Sequence, residues 1–153
     1  MTVREIVFIP DPVLYRKARK ITEITPATQV LIDDMIETLR EAPGVGLAAP
    51  QIGVSERLIV IEYGDDDDED APLKLYVVIN PEIIKASSEM VNGVEGCLSV
   101  PTFYDKVERS SRVYVRAQGR DGQPFDLQAD ELLAVCVQHE MDHLQGKVFV
   151  DYL

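Results

Sequence analysis

An α+β fold follows from three features of the sequence. Short stretches rich in Val, Ile and Tyr recur between turn residues through the middle of the chain. One strongly apolar helical segment, ELLAVCVQH, lies near the C-terminus, and strands precede and surround it. The chain has 153 residues, enough for one domain with a sizeable core. No internal repeat or linker divides residues 1–153. The expected architecture is antiparallel or mixed β-sheets packed around a buried helix that carries the H-E-x-x-H segment described below.

The elements are read in order. Asp11 caps a short helix with Pro12 at its first position, running through Leu14 to about Ala18. Thr25-Pro26 repeats that start. The helix that follows reaches about Ala42, with Leu31, Met35 and Leu39 inward and Asp33, Asp34, Glu37 and Arg40 mostly outward. Pro43-Gly44 stops it. The stretch GVGLAAPQIG, residues 44–53, is too rich in glycine and small residues for a good helix and suits a backbone that something must approach closely. Arg57–Tyr63 and Leu73–Ile79 read as strands, joined by the acidic run Asp65–Asp70, a solvated loop tip. Asn80-Pro81 is read as a turn and Glu82–Ala86 as another short strand. Gly93–Pro101, GVEGCLSVP, is again broken by glycines. Val113, Val115 and Ala117 alternate with polar residues as on a half-buried strand. Asp121-Gly122 signals a hairpin, and Phe125 and Leu127 continue its return strand. The last helix spans about Asp130–Gln145. Its first half is apolar on most sides, so burial is expected, and Gly146 ends it in a left-handed conformation. Val148–Tyr152 reads as a final strand.

Composition narrows the function classes. Net charge is −12, from 15 basic and 27 acidic residues, which argues against broad binding of DNA or other nucleic acid. No apolar run approaches the roughly 18 residues of a membrane span. The N-terminus lacks a basic start and a cleavage site, so the expected compartment is cytoplasmic. The two cysteines, Cys97 and Cys136, are then unlikely disulfide partners, and metal binding enters as an alternative.

The chemistry concentrates in QHEMDHLQG, residues 138–146, which holds both histidines of the chain. His139 and His143 are four apart and share one helix face. Two imidazoles so placed grip one metal ion, and Glu140 beside the first handles protons. An ordinary core helix rarely places two imidazoles and two carboxylates, Glu140 and Asp142, after so apolar a run unless they are paired or metal-bound. A catalytic centre usually needs a third protein ligand. Cys97, Cys136 or a distant carboxylate could supply it. Cys136 lies near the same face, but buried thiols usually pack as small hydrophobes. Cys97, between Gly96 and Leu98 in a turn-rich segment, is the better candidate.

The chain resembles the peptide deformylase family. Three separated stretches carry the resemblance: GVGLAAPQ at 44–51, EGCLS at 95–99 and QHEMDHLQG at 138–146. They fall in the family's order. IPDPVL near the start, INPEI at 79–83 and FVDYL at the end extend the similarity over nearly the whole chain.

The resemblance implies that Cys97, His139 and His143 bind one divalent metal ion, iron(II) (Fe2+) in cells, with zinc, nickel or cobalt possible in preparations. It implies a hydrolase that removes the formyl group from the N-terminal methionine of new polypeptides, with Glu140 as general base. The Gln51 side-chain amide and the Leu98 backbone N–H are implied as oxyanion donors. The backbone at Gly44, Val45, Gly46 and Gly96 is expected to take an extended peptide as an added strand. Val45, Leu132, Val135 and Cys136 are expected to line the methionine pocket, although ordinary core packing fits them equally well. Many members continue past FVDYL into a helix that helps them dock at the ribosome's exit region. With the chain ending at Leu153 and a charge of −12, ribosome association is expected to be weakened. The expected partners are formylated nascent-chain ends, with no DNA or membrane partner and a monomeric protein.

Overall fold

Asp11 starts a helical turn as its sequence position predicts, accepting the Val13 N–H at 3.1 Å. The structure, a computed structural model, describes residues 2–42, 44–64 and 73–152. Only one 3-10 turn follows, Pro12–Tyr15, shorter than the helix expected to about Ala18. Arg16 is already extended, and the Ala18 N–H donates to the Leu144 carbonyl at 2.8 Å. A tertiary bond thus takes the place of further helix.

Helix α1 spans Pro26–Glu41, with Thr25 and Thr28 capping its start reciprocally. Leu31, Met35 and Leu39 are buried as expected. Asp34 corrects the outward reading of the other face. It is only 4% exposed, because the N-terminal segment lies over it: its carboxylate accepts the Thr2 N–H and the Arg4 Nε–H, both at 2.9 Å. The Arg4 guanidinium also holds the Asp34 carboxyl below its ordinary range. Pro43, expected to stop this helix, and the acidic run 65–70 lie outside the described residues.

Strand β1 is Gly46–Ala48, followed by a 3-10 turn, Ala49–Ile52. Strands β2, Leu58–Tyr63, and β3, Lys74–Ala86, come next. β3 is one long strand, so Asn80-Pro81 does not turn the chain and Glu82–Ala86 is not a separate strand. The pair forms a bulge instead. Asn80 takes φ 53°, which asparagine tolerates better than most residues. Its side chain accepts the Ile21 N–H at 2.8 Å and donates to the Ile21 carbonyl at 2.7 Å.

Strands β4, Met90–Cys97, and β5, Val100–Ser110, form a hairpin of their own. β6, Arg112–Gln118, and β7, Pro124–Asp130, are the expected hairpin around Gly122, which takes φ 82°. Helix α2 is Glu131–Leu144. Gly146 takes φ 77° as predicted, and a Cβ there would lie 2.6 Å from the Tyr15 carbonyl oxygen. The expected final strand is instead a 3-10 turn, Phe149–Tyr152, with the Asp151 carboxylate accepting the Val148 N–H at 2.9 Å.

The larger sheet has five antiparallel strands in the order β1-β2-β3-β6-β7. One face meets α2: Ile59, Ile61, Val113, Val115 and Leu127 pack with Leu133, Ala134 and Val137. The other meets α1: Leu58, Val60 and Ile79 pack with Ile32, Met35 and Leu39. Alternate β2 side chains therefore enter opposite cores, which is why its sequence, LIVI, is continuously apolar. In α2 the expectation of burial on most sides needs correction. Leu132 is 43% exposed, and Val135 and Cys136 are half-buried, because that face borders a cavity.

Candidate metal centre and catalytic pocket

Three elements deliver their polar groups to one place. Cys97 is the last residue of β4, His139 and His143 lie one turn apart on α2, and Gln51 comes from the turn after β1. The Cys97 Sγ is 3.3 Å from His143 Nε2, and the ligand atoms of Cys97, His139 and His143 all lie within 4.8 Å of one another. The 3.3 Å Cys97–His143 separation fits two ligands of one tetrahedral ion with bonds of about 2.0–2.3 Å. A thiolate with two imidazoles is also a donor set suited to zinc or iron(II).

The surroundings agree. Glu140 Oε1 is buried without a hydrogen-bond partner among the described residues, and it lies 3.9 Å from His143 Nε2. A buried carboxylate oxygen with no protein donor calls for a polar occupant beside the cluster. Burial, reinforced by the charges of His139 and Arg109, pushes His143 down to about 3, so it stays neutral and able to ligate. Burial likewise pushes the Glu140 carboxyl up to about 7. Cys136 is raised well above its ordinary value by burial and is held as the thiol, unlike a metal ligand.

A buried ion-pair network supports the centre. Glu95 Oε1 accepts His139 Nδ1–H at 2.8 Å, which orients the ring with Nε2 towards the cluster. Burial pushes His139 down, but its hydrogen bonds to Cys97 and Glu95 outweigh this and hold it up to about 10, so a metal ion has to displace the Nε2 proton. Arg109 grips Glu95 with two bonds of 2.9 Å and also binds Asp142. Burial pushes the Glu95 carboxyl up, but the bonds from Arg109 and His139 outweigh it and bring it to about 2. Sequence reading found none of these links. Glu95 lies two residues before Cys97, and a glutamate entering an apolar interior was the available signal. Its partner Arg109 sits on β5, a strand not read. Replacing Arg109 with Ala leaves two carboxylates without their cation. It is expected to cost about 3–5 kcal/mol in denaturant unfolding, and a loss below about 1 kcal/mol would contradict a structural role.

Gln51 is 1% exposed. Its Oε1 accepts the Ala48 N–H at 2.9 Å, which orients the amide so that Nε2 faces Cys97 Sγ at 3.5 Å and Ser99 Oγ at 3.4 Å. The cavity beside it holds about 460 Å³. Gly44, Val45, Gly46, Gly96, Leu98, Leu132, Val135 and Cys136, all singled out from sequence, line it with Gln51, Cys97, His139 and Glu140. His143 lies behind the lining, fully buried. Val94 and Tyr104 line it too and were not anticipated. The close approach expected at the glycines is present. A Cβ on Gly46 would lie 2.7 Å from Glu140 Oε2, and one on Gly96 would lie 2.2 Å from the Tyr104 ring.

The sequence model of the family described as polypeptide deformylase matches residues 3–153. Peptide deformylase 1 of Ralstonia nicotianae is 50% identical over 153 residues, covering 100% of this chain and 88% of its own length. A peptide deformylase from Ehrlichia chaffeensis, solved in complex with actinonin, superposes with a TM-score of 0.94 at 38% identity, covering 100% of this chain and 90% of that one. A Met-Ala-Ser-bound class I type b peptide deformylase from Acinetobacter baumannii superposes at 0.91 with 35% identity, covering 99% of each chain.

Proposed function

The chain belongs to the polypeptide deformylase family, and from that premise we propose that this pocket hydrolyses the N-formyl group of the N-terminal methionine of newly made polypeptides, releasing formate. The observation that carries the reading is the convergence of Cys97, His139 and His143 beside Glu140 and Gln51 at the end of an apolar pocket.

Cys97, His139 and His143 would hold the metal, iron(II) in cells. When bound, that ion acidifies water and polarises the formyl oxygen. Glu140 is the general base: its buried carboxylate takes a proton from the attacking water as the new C–O bond forms. It then returns that proton to the amine nitrogen as the C–N bond breaks, so that formate and a free N-terminus result. The Gln51 Nε2–H and the Leu98 backbone N–H stabilise negative charge on the formyl oxygen, each contributing about 3 kcal/mol. The Ala48 bond to Gln51 matters here, because it holds the donor end towards the site before substrate arrives. The peptide backbone runs along Gly44, Val45, Gly46 and Gly96, which line the pocket, and Leu132, Val135 and Cys136 surround the methionine side chain. The flexible thioether suits such an apolar pocket.

No helix among the described residues is long and apolar enough to cross a membrane, and we place the protein in the cytoplasm, where formylated chains emerge. Assaying formyl-Met-Ala-Ser beside its acetylated analogue tests the reaction class. The extra methyl should slow turnover by about 10–200-fold, and equal rates would sink the reading.

A further inference from the structure

Residues 15–20, YRKARK, take no part in the catalytic pocket, yet they hold four of the 15 basic residues of a chain whose net charge is −12. No acidic residue lies between Asp11 and Glu23. Arg16 is extended, and the backbone after it is pinned. Besides the Ala18 bond to Leu144, the Arg19 N–H donates to the Ser55 carbonyl and the Arg19 carbonyl accepts the Arg57 N–H, both at 2.9 Å. Ala18 packs against the core that α2 shares with the sheet. Arg16, Lys17, Arg19 and Lys20 are left exposed, and so is the neighbouring Tyr15, at 45%.

These four charges are unanswered. Every other arginine of the chain, from Arg4 to Arg120, is held by a carboxylate or, at Arg57, by the Pro81 carbonyl. Arg16 and Arg19 have no side-chain hydrogen bond or ion pair among the described residues, and neither do Lys17 and Lys20. Glu56 faces Arg19 across a backbone bridge without pairing with its side chain. At about 3.3 Å per extended residue, the four cations fall within about 13 Å. Like charges so close repel one another, and a bound polyanion relieves that repulsion. At about 0.1 M salt their field reaches about 10 Å, so acids beyond that distance cancel little of it.

We infer that residues 15–20 form a docking strip for single-stranded RNA, with the cations meeting phosphates and Tyr15 stacking on a base. Cations beside an exposed aromatic ring are the means by which single strands are held without sequence preference. A backbone pinned before contact loses little freedom on binding. In the cytoplasm, where we place the protein, RNA is the abundant single-stranded polyanion. The strip lies at the C-terminal end of α2, where Ala18 meets Leu144. Leu132, at the pocket, is about 18 Å away along the helix, so bound RNA leaves the pocket open. The inference goes beyond the deformylase reading and does not depend on it.

The test follows the fluorescence anisotropy of a labelled RNA of about 12 nucleotides as the metal-loaded protein is added. With three or four phosphates neutralised, Kd should weaken about 20–50-fold between about 0.1 M and 0.4 M salt. Replacing the strip's cations together (Arg16→Gln, Lys17→Gln, Arg19→Gln, Lys20→Gln) should weaken Kd about tenfold or more at the lower salt. The same variant should keep its unfolding temperature and its kcat/KM on formyl-Met-Ala-Ser, because all four side chains are exposed and none lines the pocket. Replacing exposed lysines elsewhere (Lys74→Gln, Lys85→Gln, Lys106→Gln) should change Kd by less than about twofold. Tyr15→Ala should cost about fivefold or more, and Tyr15→Phe little. No saturable binding at the lower salt would overturn the proposal, as would equal losses from the strip and the control lysines. Displacement of the RNA by oligoglutamate as readily as by unlabelled RNA, or tighter binding to phosphatidylserine vesicles, would overturn RNA as the partner.

Discussion

Glu140→Ala is expected to lose about 10²- to 10⁴-fold in kcat, the usual contribution of a positioned general acid–base group. Metal content and peptide affinity should change little, because none of the three ligand atoms belongs to this residue. The position explains the size of the effect. Glu140 is 3% exposed, its Oε1 lacks a protein partner among the described residues, and it sits one residue from His139 on the helix that carries both imidazoles. Gly46 leaves space for the carboxylate on its other side. Glu140→Gln, which keeps the shape and removes the base, should lose nearly as much, and this separates proton transfer from a packing defect. Retention of even a tenth of wild-type kcat in both variants would remove Glu140 from the proton-transfer role.

The two cysteines should behave oppositely. Cys97→Ala removes a sulfur that lies 3.3 Å from His143 Nε2. Loss of a group that merely orients a ligand typically weakens metal binding 10–100-fold, so loss of a ligand should weaken it by more than about 100-fold and abolish turnover under ordinary metal supply. Cys136→Ala removes a thiol that packs near Gly46 and that burial keeps protonated. It should retain stoichiometric metal and shift mainly KM for methionine-led peptides. Metal binding titrated by chelator competition distinguishes them, and the reverse order of loss would mean that the third ligand is misassigned.

Where local chemistry decides structure, the sequence was readable. Thr25-Pro26 with apolar residues at helical spacing gave α1, alternation at Val113, Val115 and Ala117 with Asp121-Gly122 gave the β6–β7 hairpin, and Gly146 gave the end of α2. Signals with two physical meanings misled. Asn80-Pro81 has the residues of a turn, but the same conformational tolerance serves a bulge in a continuing strand. The β4–β5 hairpin hid because its interior carries Glu95 and Arg109, charges that become buried only as a pair brought together by the fold. Asp34 looked like a solvent residue because its partners, Thr2 and Arg4, are distant in sequence. The site shows the same division. His139, Glu140 and His143 follow from helical spacing alone, whereas for the third ligand the turn-rich setting of Cys97 only favoured it over Cys136, and the family motifs added the rest. The orientation of Gln51 depends on a backbone bond from Ala48 that no pattern displays.

The central claim is that the Cys97–His139–His143 centre carries the deformylation. Its most direct test measures bound metal and formate release in the same sample, as chelator-treated protein is reloaded anaerobically with iron(II) and given formyl-Met-Ala-Ser. Formate release should rise in step with metal up to one ion per chain, and neither should rise in Cys97→Ala. Full formate release from metal-free protein, or normal metal loading of Cys97→Ala, would contradict the claim.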